Sequence, residues 1–198
     1  MPKSNKENKI VALFGSPRKK GNSTLLANHI ITGAKSQGAA VQSIYLNDLD
    51  ITPCQGCYAC QMKDSQGCAV DDDMQGIYPK VIEADALIIA SPVYWFSMSA
   101  QTKIFMDRCI ALYKENPAES ALHGKNIAIA MTYGDKDVFC SGCINALRTF
   151  QDAYNFVGAD IAGMVYGSAE APGEIAANTG LIRDAEALGK KLASRKQS

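Results

Sequence analysis

Charge of one sign is what this chain most plainly lacks. Its 198 residues carry 20 Lys and Arg against 20 Asp and Glu. A nucleic-acid footprint needs a basic excess that neutralises phosphates, so that class is excluded. Long apolar runs are also missing, and no stretch reaches the roughly 18 residues that span a bilayer. Met1 to Lys9 is polar and charged, without the apolar core of a secretory signal. The expectation is a cytoplasmic chain with a short flexible tail at residues 1–8. Histidine is scarce: only His29 and His123 occur, both away from the loops described below, so no nucleophilic dyad and no catalytic side chain is expected. Repeats, low-complexity segments and linkers are absent. With 47% hydrophobic residues, one domain over residues 1–198 is expected.

Two phosphate-loop fingerprints are lacking as well. After the apolar run Ile10 to Phe14 comes Gly15-Ser16-Pro17-Arg18-Lys19-Lys20-Gly21-Asn22-Ser23-Thr24, and then a helical pattern. The nucleoside triphosphate loop G-x-x-x-x-G-K-[ST] is excluded. Gly15 and Gly21 are one residue too far apart, and Asn22 stands where its lysine belongs. The dinucleotide pattern G-x-G-x-x-G fails because Ser16-Pro17 replaces its second glycine. What is present is a hydroxyl-lined strand-to-helix turn, where free N–H groups and the helix dipole favour an anion. It suits a single terminal phosphate, as in flavin mononucleotide (FMN). An ordinary turn with a serine cap is the plainer alternative.

A second apolar run, Ala86 to Ala90, ends in Ser91-Pro92-Val93-Tyr94-Trp95-Phe96-Ser97-Met98-Ser99. Pro92 cannot donate to a central ladder and is expected to stop the strand. Three aromatics, including the only tryptophan, then fall at a strand's carboxyl end, the edge where open α/β sheets bind ligands. Such a loop offers a flat heteroaromatic ring an apolar surface beside backbone donors; packing against helices is the alternative. Thr132-Tyr133-Gly134-Asp135 is a third polar loop after an apolar strand, Ile127 to Met131.

Cysteine, by contrast, is plentiful: seven occur, in a compartment that keeps thiols reduced. Cys54, Cys57, Cys60 and Cys68 read C-x2-C-x2-C-x7-C. Such spacing lets thiolates face one centre, as in iron–sulfur sites. A [4Fe–4S] cluster, free thiols, and zinc or a regulatory disulfide all remain open; three ligands at x2 spacing disfavour tetrahedral zinc. Cys140-Ser141-Gly142-Cys143 opens a predicted helix, which would lower the pKa of Cys140 and make it reactive; two small semi-buried residues are the alternative. Cys109, on a helical face with Phe105 and Leu112, reads as core.

Strands are expected near Lys9–Phe14, Val41–Leu46, Ala86–Ala90, Asn126–Thr132 and Asp160–Tyr166. Helices are expected near Ser23–Gln37, Asp73–Glu83, Ala100–Tyr113, Ser141–Phe156 and Glu174–Lys196. Alternating strands and helices predict an α/β parallel sheet with helices on both faces and right-handed crossovers.

The loop G-S-P-R-x-x-G-N-S-T, the segment S-P-V-Y-W-F-S-M-S-A-Q and the cysteine stretch resemble the NADPH-dependent FMN reductase and iron–sulfur flavoprotein family over about Lys9 to Val165. The resemblance implies a flavodoxin-like three-layer sandwich whose five-stranded parallel sheet has the order 2-1-3-4-5. It places the FMN phosphate on Ser16, Arg18, Asn22, Ser23 and Thr24. The ring and ribityl chain fall to Pro92, Val93, Tyr94, Trp95, Phe96 and Ser97, with Thr132, Tyr133 and Gly134 alongside. It assigns Cys54, Cys57, Cys60 and Cys68 to a possible [4Fe–4S] cluster. The implied activity is an oxidoreductase passing electrons from NAD(P)H through FMN to a quinone, a flavin or ferredoxin, in a homodimer or homotetramer. A non-enzymatic carrier exchanging electrons with ferredoxin is the alternative, and a module without flavin the third reading.

Overall fold

The computed structural model describes residues 7–194, so most of the expected tail lies outside the described residues. In chain order the elements are β1 (Lys9–Phe14), α1 (Asn22–Lys35), β2 (Ala40–Tyr45), α2 (Tyr78–Glu83), β3 (Ala86–Tyr94) and β4 (Ser97–Met98). Then follow α3 (Ala100–Arg108), β5 (Asn126–Tyr133), α4 (Cys143–Phe156), β6 (Asp160–Ser168) and α5 (Thr179–Ser194). Five strands pair in parallel in the order β2-β1-β3-β5-β6, and β4 pairs antiparallel with the end of β3. The long strands taken alone give the flavodoxin order 2-1-3-4-5.

Alternation along the strands divides the core. Ile10, Ala12, Phe14, Ala86, Ile88, Ala90, Ala128 and Ala130 pack with α1 and α5 on one face. Val11, Leu13, Leu87, Ile89, Ile127, Ile129 and Met131 pack with α2, α3 and α4 on the other. Buried on both faces, the central strands read as continuous apolar runs. Each buried Leu or Ile contributes about 1.5–3 kcal/mol.

Pro92 does not end β3, which continues to Tyr94. The Ala90 carbonyl accepts from Gly15 N, so hydrogen-bonding groups at positions 90 and 92 face β1. β1 has ended at Phe14 by then, so Pro92 lacks a donor only where no strand would receive it. On its other side Pro92 still registers with Thr132 of β5. The helix expected from Asp73 to Glu83 is a 3-10 turn, Asp73–Gly76, followed by α2, because Pro79 is tolerated only in a helix's first turn. α3 stops at Arg108 and a 3-10 turn, Cys109–Leu112, completes the predicted segment. α4 begins at Cys143. A 3-10 turn, Glu174–Ala177, precedes α5.

Candidate active site

The carboxyl ends of β1 and β3 are tied together by buried hydroxyls. Ser99 caps α3, accepting from Thr102 N at 3.4 Å, and its Oγ donates to the Gly15 carbonyl oxygen at 2.7 Å. Ser91 Oγ accepts from Ser99 N at 2.9 Å. Ser91, Ser99 and Thr102 are all fully buried. A Cβ at Gly15 would stand 1.8 Å from Thr102 Oγ1, so only glycine lets α3 approach. The first glycine of the loop therefore serves packing between the two loops.

Within that loop, Ser16 Oγ accepts from Arg18 N at 3.1 Å and Thr24 Oγ1 donates to the Arg18 carbonyl at 3.3 Å. The Asn22 side-chain amide donates to the carbonyls of Ala169 and Ala171, and its oxygen accepts from Ile175 N. Asn22 thus fastens α1 to the segment after β6, and Ala169 N in turn donates to the Tyr133 carbonyl at 2.8 Å. Lys19 pairs with Asp48 at 2.6 Å, a contact that raises its pKa, and lies over the Tyr45 ring, which stacks on Phe14. Gly21, the N-cap of α1, supplies no side-chain cap, and the first turn holds no acid. That turn keeps the anion-favouring character of a helix start.

Tyr94 and Ser97 pair across a two-residue turn formed by Trp95 and Phe96. Both take positive φ, 45° and 66°. Asn-Gly is the usual occupant of such a turn; an L-residue with a bulky side chain costs about 1–2 kcal/mol there. Trp95 is 93% exposed and meets Phe96 edge to face, with centroids 5.9 Å apart. Asn145 Nδ2 donates to the Phe96 carbonyl at 3.1 Å, and a Cβ on Gly142 would come within 2.6 Å of Phe96. With φ of +74°, Gly142 answers both the turn and the close approach.

That loop carries the second C-x-x-C, and of the two readings open there the reactive thiol is the one its surroundings disfavour. Asp137 accepts from the N–H groups of Cys140 and Phe139, which holds its carboxyl below the usual range. Its hydrogen bond to the Cys140 thiol and its charge raise the pKa of Cys140. Burial pushes Cys143 up to about 12. The thiols are free, and neither is activated. Thr132 is buried, Tyr133 half-buried with its pKa raised by burial, and Gly134 exposed. His29 pairs with Glu186 between α1 and α5, away from these loops.

Cys54, Cys57, Cys60 and Cys68 line one cavity of about 350 Å³, together with Asp107, Arg108 and Ile110. Gly56 and Tyr58 flank Cys57 in the left-handed region, curling the loop around the cavity. Gln61 anchors it, donating to the Ile110 carbonyl at 2.8 Å and to Cys60 Sγ at 3.7 Å. Beneath lies a buried ion pair. Arg108 Nη1 and Nη2 donate to Asp72 at 2.5 and 3.1 Å, and Nη1 also reaches the Thr52 carbonyl at 2.7 Å. Tyr78 OH donates to the Arg108 carbonyl at 3.1 Å. Burial opposes the charge on Asp72, but Arg108 and the N–H groups of Thr52 and Met74 outweigh it and hold the carboxyl below the usual range. Among the described residues, no three His, Cys, Asp or Glu side chains are placed to hold a single metal ion.

The model of the NADPH-dependent FMN reductase family matches residues 8–159. The chain belongs to that family. Two iron–sulfur flavoproteins of Methanocaldococcus jannaschii are similar to it. One is 40% identical over 100 residues, covering 50% of this chain and 51% of that protein. The other is 35% identical over 147 residues, covering 74% and 70%. The match thus spans about half the length of the first relative. Among solved structures, the NAD(P)H:quinone oxidoreductase from Methanothermobacter marburgensis superposes with a TM-score of 0.76 at 17% identity, covering 96% of this chain and all of that one. At that identity the likeness establishes the flavodoxin-like fold.

Membership in the FMN reductase family sharpens the reading of the loop. The side chains of Asn22 and Thr24 spend their donors inside the protein, which leaves their main-chain N–H groups for an anion. Ser16 and Ser23 are buried in the loop, and Arg18 lies exposed beside them. Sequence reasoning missed Ser91, Ser99, Asn145, Asp72, Tyr78 and Arg108. Ser91 and Ser99 sat in the segment singled out, one on each side of the aromatics, and their spacing was the available signal. Nothing local marked Arg108, which meets Asp72 across 36 positions.

Proposed function

We propose that the chain, as one flavodoxin-like unit, binds FMN and passes electrons from NAD(P)H to a small acceptor such as a quinone or a flavin. The observation that carries this is the bond between Ser99 and Gly15, which holds an uncapped helix start beside an exposed aromatic turn. The main-chain N–H groups of Asn22, Ser23 and Thr24, with Ser16, Ser23 and Arg18, take the phosphate. Pro92, Val93, Tyr94, Trp95, Phe96 and Ser97 border the ring and ribityl chain, with Thr132 and Tyr133 at the end of the neighbouring strand and Gly134 just after it. When bound, FMN supplies the hydride acceptor, and the protein orients and shields it. The strain of the Trp95–Phe96 turn supports this reading, since backbone outliers of that kind gather at ligand sites. An exposed aromatic face leaves room for a nicotinamide or a second subunit, so a homo-oligomer in the cytoplasm is part of the proposal.

The four cysteines support a further cofactor. A tetrahedral zinc site requires four sulfurs about one point, whereas a [4Fe–4S] cluster takes each thiolate on a different iron and so needs a wider pocket. Four cysteines around one cavity of about 350 Å³ give such a group room. An iron–sulfur electron carrier working with ferredoxin is thus the second reading.

Anaerobic titration of the FMN-loaded protein with NADPH tests the first reading: the flavin band bleaches and recovers on adding quinone. A protein that takes up no FMN, or whose flavin NADH and NADPH both leave oxidised, would refute it. Iron and acid-labile sulfide counts after anaerobic reconstitution test the second.

A further inference from the structure

Trp95 and Phe96 are both left-handed, and neither is the glycine that such a turn favours. Bulky residues keep that backbone only where the surrounding structure over-determines it. The Tyr94–Ser97 pair closes the turn, but β4 is only two residues long. The remaining support comes from α4, 49 positions on in the chain. Asn145 Nδ2 donates to the Phe96 carbonyl at 3.1 Å. Gly142, the N-cap of α4, packs so closely that an added Cβ would stand 2.6 Å from Phe96 Cα. Cys143, Ala146, Leu147 and Phe150 anchor α4 in the core, so Asn145 is presented from a firm base. Asn145 and Phe96 are both exposed, so water could serve either group in place of this bond. Such an exchange gains little for folding. What the bond does change is the orientation of the turn.

Resting on the FMN reading above, we propose that Asn145 is a positioning residue for the flavin ring. Through the Phe96 carbonyl it sets the angle at which the aromatic turn meets the ring. A peptide unit is planar, so one bond to its oxygen orients the whole unit, here the one that leads from Phe96 into β4. Gly142 blocks the turn from relaxing toward α4. A turn locked before the ligand arrives saves the ordering cost of binding, and that saving appears as affinity. Asn145 acts through Phe96 and does not itself need to touch the flavin.

Trp95 is the only tryptophan, so its fluorescence reports on the turn directly, even in protein free of flavin. Wild type, N145A, N145D and T149A are compared by time-resolved anisotropy of Trp95 and by titration with FMN and with riboflavin. Thr149 Oγ1 donates to the Asn145 carbonyl at 2.8 Å, one turn along α4, so T149A perturbs the same helix without touching the turn. N145A is expected to widen the local motion of Trp95 and to weaken FMN several-fold. Riboflavin should weaken by the same factor, because the phosphate loop is untouched. N145D sets an acceptor against the Phe96 carbonyl and is expected to lose more than N145A, although it is closer to asparagine in size. T149A is expected to match wild type in Trp95 motion and in flavin affinity. Unchanged Trp95 motion or unchanged flavin affinity in N145A overturns the proposal. So does an FMN loss without a matching riboflavin loss, or an equal loss in T149A. If N145D does not fold, N145A against T149A decides alone. A wild type that takes up no flavin refutes the FMN reading itself, a result distinct from any difference among the variants.

Discussion

Ser99 Oγ lies 2.7 Å from the carbonyl oxygen of Gly15, 84 residues away in sequence. One hydroxyl caps α3, closes the end of β1 and fixes the distance between the candidate phosphate loop and the aromatic turn. Removing it in S99A leaves a buried carbonyl without its donor and a helix without its cap. The expected loss is about 1–3 kcal/mol of stability, read from urea midpoints. FMN affinity should fall by about tenfold or more in a fluorescence titration, because the two halves of the site lose register.

Trp95 carries its side chain into solvent from a left-handed backbone. Asparagine tolerates that conformation better, so W95N is expected to leave stability unchanged or raise it by up to about 1 kcal/mol. The same substitution removes aromatic surface from the proposed ring site and should weaken FMN binding several-fold. A melting curve and a flavin titration on one sample separate the two effects. Equal FMN affinity in W95N would remove Trp95 from the site.

Cys140 is exposed, but Asp137 hydrogen-bonds it and raises its pKa. The thiol is the unreactive form, so iodoacetamide should label Cys140 slowly at neutral pH despite its accessibility. D137N removes the negative charge, lowers the thiol pKa and is expected to speed alkylation severalfold, measured by mass spectrometry with C140S as the blank.

The Asp72 carboxyl titrates lower in the folded protein than in the unfolded chain, where the value is about 3.9. The native state then binds fewer protons than the unfolded state in the acid range. Its contribution is complete above about pH 5 and is lost progressively as pH falls through the depressed folded value. Urea midpoints taken from about pH 6 down to pH 3 should fall for the wild type and fall less steeply for D72N.

The fold was largely legible, and for identifiable reasons. Ile10 to Phe14 and Ile127 to Met131 are apolar without interruption because both faces of a central strand are covered. The placement of Gly15–Thr24 and Ser91–Ser99 at strand ends followed from the runs Ile10–Phe14 and Ala86–Ala90. Element ends were less legible. Pro92 reads as a stop until the register shows that the strand on its donor side has already ended. Pro79 reads as part of one helix until the chain is seen to restart there.

The site divides along the same line. Sequence alone determined that small hydroxyl residues open the first helix, that a row of aromatics falls at the carboxyl end of a strand and that four thiols lie close together in the chain, since spacing and punctuation act within a few residues. Tertiary structure decided what those groups do. Asn22 and Thr24 turned inward because carbonyls from β6's far end and from Arg18 competed for their donors. Cys140 is held as the thiol because Asp137 faces it. Arg108 came to lie beneath four cysteines because α3 ends there, against Asp72. Electrostatic and hydrogen-bond energies depend on separations in space, which a linear order of residues does not contain.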